Sequence, residues 1–289
     1  MERTLEIMVQ DIKNKTIYKM QNQLIIFSKN RACQLNLLLD SINLNANQLF
    51  DKISVLYKAE DQYIDGYDLL KTRTSIDFIE EMNFRNDLIR IIDDDIMFTT
   101  FLVDDAIFFD KITEPQKTLL NWHDNVICLS LRLGLNCVYS HPANLQYKIN
   151  NYGPVGIDDN FIMFVHTEQD GDFSYPLSTD GHIYMTSVIK DLLVSVDFNN
   201  PNTLEANLQR FKNVIPKLMI SFKHSKLVSV PVNLVNTTFN NRNGLIFPIS
   251  NKELNDRFLN NEIIDLHSLN FLDINGPHKE IEYKFKKYE

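Results

Sequence analysis

Short apolar runs alternate with segments of helical spacing through the first half of the chain. "QLIIFSKN" is an apolar run closed by polar residues, and behind it Leu35, Leu38, Leu39 and Ile42 recur at helical intervals, with Asn30 in the place of an N-cap. "ISVLY" at 53–57 repeats the pattern, followed by Tyr63, Ile64, Tyr67 and Leu70. "SIDFIEE" reads as a third strand, Phe84, Leu88, Ile91 and Ile92 line a third helix, and "FTTFLV" is a fourth strand. Strands alternating with helices predict an α/β fold, a mostly parallel central sheet with helices packed on both faces.

The second half is less periodic. "VICLSLRLGLN", "NFIMFVH" and "HIYM" predict strands, the last leading into a helix with Ile189, Leu192, Leu193 and Val196. "NPNTLEANLQRFKNVIPKL" predicts a helix with Asn202 as N-cap, Glu205 at N3, and Leu204, Leu208, Phe211, Ile215 and Leu218 along one stripe. "KLVSVPVNLV" predicts a strand, which Pro231 confines to an edge or a bulge. No low-complexity linker or internal repeat separates the halves.

In sheets of this kind ligands bind outside the carboxyl ends of the strands. Polar groups gather at those ends: Ser28, Lys29, Asn30 and Arg31 after the first strand, Lys58, Glu60 and Asp61 after the second, Asp104 and Asp105 after the fourth. Two adjacent carboxylates at the tip of a buried strand are costly unless a cation faces them, so "TTFLVDDAIFF" suits a metal or ligand site better than a core. A further acid, Asp180, sits beside His182 in "FSYPLSTDGHIY". Asp93, Asp94 and Asp95 in "IIDDDIMF" precede the fourth strand and read as a solvated turn.

Composition narrows the field. The 289 residues are 44% hydrophobic and 23% charged, ordinary globular values, with no apolar run of membrane-spanning length. The start, "MERTLEIMVQDIKNK", has no apolar leader core, which predicts a cytoplasmic protein. Cys33, Cys128 and Cys137 form no metal-binding or disulfide pattern and are expected reduced and buried. A net charge of -9 argues against nucleic acid as a partner. The terminal "KEIEYKFKKYE" is locally basic; it reads first as a solvated chain end, and otherwise as a peripheral contact with an anionic membrane face.

Taken in order, "FSKNR", "LVDDAIFF", "LSLRLG", "YPLSTDGHIY", "NPNTLEANL" and "SKLVSVPVN" resemble the nucleotide-sugar-dependent glycosyltransferases of the A-type, Rossmann-like fold, in particular family 2-like bacterial sugar transferases. The resemblance spans roughly residues 20–240. It implies an N-terminal extension (1–20), a catalytic domain (21–245) with a nucleotide-binding half to about 110 and an acceptor-binding half beyond, and a C-terminal extension (246–289). It also implies a nucleotide-sugar donor, a glycan or other hydroxyl acceptor, and Mn or Mg at the position of Asp104 and Asp105, offsetting the charge that builds on the leaving diphosphate.

Ala106 departs from the pattern, standing where relatives carry a second metal-binding acid. Three readings follow, in this order: Asp105 with donor phosphates and water, a metal-independent variant using Lys or Arg, and an inactive descendant. By the same resemblance Ser28, Arg31, Glu60 and Asp61 would meet the donor base and ribose, and Asp180 would be the general base of an inverting transfer. His182 would ligate metal or meet a phosphate or the acceptor, and Arg132 and Tyr175 would lie on the acceptor side. Trp122, like Tyr175, offers a ring on which a sugar could stack, and structural roles compete at several of these positions: an Asx turn at Asp180, a helix cap at Asp61, an ion pair at Arg132, and packing for Trp122 and Tyr175. His224 ranks below His182 for the same roles. The rivals are a nucleotidyltransferase, for which "FSKNRACQ" lacks a glycine-rich phosphate loop, and a noncatalytic sugar- or nucleotide-binding descendant.

Overall fold

The computed structural model describes residues 20–112, 115–122, 124–155, 158–234 and 242–289, so the expected N-terminal extension lies outside it except for Met20. The first half runs β1 (Asn22–Lys29), α1 (Ala32–Asn45), β2 (Lys52–Lys58), α2 (Ile64–Arg73), β3 (Asp77–Glu80), α3 (Phe84–Ile91), β4 (Phe98–Val103) and β5 (Ala106–Phe108). Next come α4 (Pro115–Trp122), β6 (Val126–Ser130), β7 (Tyr139–Ser140), β8 (Leu145–Gln146), β9 (Tyr152–Val155), β10 (Asp158–Val165), β11 (His182–Met185) and α5 (Thr186–Val194). The chain closes with α6 (Pro201–Leu208), β12 (Leu218–Phe222), β13 (Leu227–Ser229), α7 (Asn251–Leu259), β14 (Glu262–Ile264) and β15 (Phe285–Lys287).

Nine strands form one sheet in the order β3-β2-β1-β4-β11-β6-β12-β10-β9. β3, β2, β1 and β4 are parallel, β11 is antiparallel to both β4 and β6, and β12 returns to the parallel direction beside β6. The sheet is therefore mostly parallel, as the alternation predicts. Both its faces are covered. Leu24 and Ile26 of β1 enter one apolar cluster with α1, α2, α4 and α7, while Ile25 and Phe27 enter another with α3, α5 and α6. That is why β1 reads as an unbroken apolar run rather than an alternating one. No described helix is long and apolar enough to cross a membrane.

Three local expectations are corrected. Asn30 does not cap α1; it takes a left-handed φ of 58° and its Oδ1 accepts the Glu60 backbone N–H at 2.9 Å, while Arg31 holds the cap position. The cap of α6 is Asn200, in a reciprocal box with Thr203, which leaves Asn202 and Glu205 free of that task. The segment around Pro231 is a strand only over Leu227–Ser229, paired with β5 in a small separate sheet, because proline cannot donate to a continuing ladder.

Candidate functional site

The antiparallel insertion of β11 decides where the site lies. β1, β2, β4 and β6 end on one edge of the sheet, and β11, running the other way, begins there: His182 pairs with Phe101 and Ser130, and the Gly181 N–H donates to Phe101 O at 2.9 Å. The turn before β11 thus meets the turns after β4 and β6 at one edge. Gly181 allows the meeting with a φ of 78°, where an L side chain would be strained.

Asp104 and Asp105 form the turn between β4 and β5. Asp104 Oδ2 accepts from Ser28 Oγ (2.9 Å) and the Lys29 N–H (3.0 Å), and Oδ1 accepts from Arg31 Nη1 at 3.1 Å. The same Nη1 lies 3.1 Å from Asp105 Oδ2, and Nη2 donates to Asn233 O at 2.7 Å. The Tyr67 hydroxyl supports the arrangement, 2.6 Å from Ser28 Oγ and accepting the Arg31 backbone N–H at 3.1 Å. Burial pushes the Asp105 carboxyl up to about 7, with the charges of Asp104 and Asp180 adding to the rise and Arg31 opposing it.

Asp180 is held by a second guanidinium. Its Oδ2 accepts from Arg132 Nη1 at 3.0 Å and from Ser229 Oγ at 2.6 Å. Arg132 Nη2 also lies 3.5 Å from Asp172, whose other oxygen accepts from the Tyr147 hydroxyl at 3.0 Å. Asp180 Oδ1 is buried and has no hydrogen-bond partner among the described residues. A buried carboxylate oxygen left unpaired is costly, and a ligand hydroxyl would relieve it.

A cleft of about 780 Å³ runs between the two groups. Ser28, Arg31, Asp104, Asp105, Arg132, Tyr175 and Asp180 all line it, so the structure brings these expected site residues together. It does not bring the others. His182 is a core residue, 1% exposed; its Nδ1 faces the Tyr184 hydroxyl (3.2 Å) and Pro176 O (3.4 Å), and burial lowers the ring's pKa to about 3. A side chain alternates across a strand, and at His182 the alternation turns it into the sheet's packed face, so that it does not line the cleft. Glu60 and Asp61 are exposed outside the cleft, Glu60 3.9 Å from Lys29 and Asp61 opening a 3-10 turn before α2. His224 stacks edge-on against Phe109, away from the cleft, and the side chain of Trp122 lies outside the described residues.

No family model matches the sequence, and no curated protein matches it. Among solved structures, similarity extends to S. aureus TarS in complex with UDP (14% identity, TM-score 0.47, covering 73% of this chain and 61% of that one). It extends also to 4-diphosphocytidyl-2C-methyl-D-erythritol synthase from Anaerococcus prevotii (9% identity, TM-score 0.41, covering 73% and 93%). A third is mouse xyloside xylosyltransferase 1 (11% identity, TM-score 0.35, covering 71% and 84%). The fold itself is a mostly parallel α/β sheet with one antiparallel strand, β11, inserted between β4 and β6.

The residues can be tested for their fit to a divalent ion. Asp104 does not fit, since both of its oxygens are taken by protein donors. Asp105 fits in part: Arg31 holds Oδ2, and among the described residues no other side chain bonds its carboxylate. Among the described residues no group of three or more His, Cys, Asp or Glu side chains could hold a metal, so the remaining ligands would have to come from substrate and water. Asp172, Ser229 and His278 line the cleft as well, and none of the three stands out in the sequence; only the pairing of sequence-distant segments exposes them. Glu205 lines it too, and its box-like spacing in the sequence points to a capping role that Asn200 and Thr203 fill instead.

Proposed function

We propose that the protein is a glycosyltransferase, moving a sugar from a nucleotide-sugar donor to a hydroxyl acceptor with inversion at the anomeric carbon. The observation that carries this reading is the meeting of two acidic turns across one cleft, close enough for the charge of Asp180 to act on Asp105. Asp180 is the general base: Oδ1 takes the acceptor hydroxyl proton as that oxygen bonds to the anomeric carbon. The carbon–oxygen bond to the diphosphate breaks, and the nucleoside diphosphate leaves with the electron pair. Arg132 and Ser229 aim the Asp180 carboxylate by bonding only Oδ2. Tyr175, 37% exposed on the cleft wall, offers its ring to an acceptor sugar.

On the donor side, Asp105 is the residue that would hold Mn or Mg, whose charge would offset that developing on the leaving diphosphate. Ser28, Arg31 and Asp104 act from behind by fixing the Asp105 turn, while Lys29 and Lys58 stand on the cleft rim, paired with Glu60 and Glu81. A noncatalytic sugar- or nucleotide-binding role is the second reading, favoured by one observation, that Arg31 already fills the space between Asp104 and Asp105. The test of donor binding is a thermal-shift panel of UDP-, GDP-, CMP- and dTDP-sugars with and without Mn. A donor at about 100 times its Kd adds about 2.7 kcal/mol to stability, a rise of several degrees in Tm. A flat response to every donor would overturn both readings, and a shift without turnover would leave the second.

A further inference from the structure

We infer that Glu205, on α6, is the positioning residue for the general base, an inference that rests on the reading of Asp180 above. Glu205 Oε1 accepts the backbone N–H of Thr179 at 2.9 Å. Thr179 immediately precedes Asp180 and is 4% exposed, so its N–H needs an acceptor within the protein. No strand supplies one, because β11 starts only at His182. A side chain 26 residues further along the chain supplies it instead.

Other bonds hold the same turn. The Asp180 N–H donates to Ser178 Oγ at 3.2 Å, and Arg132 Nη1 donates to Ser178 Oγ and to Asp180 O, both at 3.3 Å. Glu205 therefore fixes the backbone of the turn while Arg132 and Ser229 fix its carboxylate. A third acid beside Asp172 and Asp180 adds repulsion that a structural acceptor at an ordinary turn would not need. Its placement is intelligible if the direction of Asp180 matters more than that cost. Burial raises the Glu205 carboxyl, so an uncharged side chain with the same accepting oxygen can serve in its place. The same helix lines the cleft through Asn200, Pro201 and Asn202, so the element that meets substrate at its start also holds the base one turn later.

The experiment compares the full chain with its Glu205→Ala, Glu205→Gln and Asp180→Asn variants. One readout is amide hydrogen exchange across residues 176–184 without ligand; the other is nucleoside diphosphate release from whichever sugar nucleotide of the UDP, GDP, CMP and dTDP panel the wild type turns over. In Glu205→Ala, exchange at Thr179 rises about 10-fold and kcat falls about 10- to 100-fold with donor KM nearly unchanged, the signature of a displaced base. Glu205→Gln keeps an accepting oxygen and stays close to wild type in both. Unchanged exchange in Glu205→Ala would overturn the inference, and so would raised exchange with kcat intact. A Glu205→Gln variant as inactive as Glu205→Ala would also overturn it, since the carboxylate would then act chemically. Turnover that survives in Asp180→Asn would instead remove the base assignment, while the exchange result still decides whether Glu205 holds the turn.

Discussion

Replacing Arg31 by Met removes the guanidinium shared by two buried carboxylates. The three side chains are 6%, 4% and 9% exposed, and Nη1 stands 3.1 Å from each acid. Removing one partner of such a buried ion pair costs about 3–5 kcal/mol, because the remaining charge is stranded in a poorly solvated place. Asn233 O also loses the shorter of its two donors, Nη2 at 2.7 Å, and keeps Asn243 Nδ2 at 3.2 Å. Against a total stability of about 5–15 kcal/mol this is a substantial fraction of the whole. Urea unfolding followed by circular dichroism reads the effect: with a slope of about 3 kcal/mol/M, the midpoint falls by about 1–1.7 M. Arg31→Met combined with Asp104→Asn and Asp105→Asn regains most of the loss, since neutral amides strand no charge. A single variant that unfolds at the wild-type midpoint would refute the reasoning, and so would a triple variant less stable than the single.

Other outcomes follow from the same geometry. Ala106 is fully buried opposite Ser229, so Ala106→Asp, which restores the acid expected there, lowers stability by about 3 kcal/mol or more; an unchanged Tm with tighter Mn binding would show that the position faces the cleft. Gly181→Ala forces a side chain into a φ of 78° with its Cβ 2.6 Å from Leu227 Cδ2. The strain costs about 1–3 kcal/mol and displaces Asp180, and calorimetry beside turnover detects both. Burial pushes the thiols of Cys33 and Cys137 up to about 12, so a thiol reagent labels them only as fast as the protein opens; rapid labelling in native buffer would contradict their placement.

The first four strands and three helices are legible in the sequence because β1, β2 and β4 are apolar runs buried on both faces, and the helices between them repeat apolar residues at helical spacing. The acidic turn at Asp104 and Asp105 is legible for a related reason, as charge at the end of an apolar run. What the sequence hides is pairing. Nothing local to "HIYM" says that β11 enters the sheet antiparallel between β4 and β6, and that one fact carries Asp180 to the cleft and turns His182 into the core. Arg31 shows as one polar residue among several after β1, and its bond to Asp105 depends on a turn 74 residues away. Glu60 and Asp61 follow a strand end as the pattern requires, yet Asn30 holds the Glu60 backbone and the chain turns outward into α2. Ser229 and His278 belong to segments joined by a single parallel bridge, which leaves no periodic trace.

The account stands or falls on Asp180 as the base that faces Asp105 across the cleft. Its most direct measurement is sugar transfer and donor affinity in Asp180→Asn, an exchange that preserves shape and the bonds to Arg132 and Ser229 while abolishing basicity. Transfer should fall by about 10²- to 10⁴-fold with the donor Kd unchanged. Transfer at the wild-type rate would contradict the account.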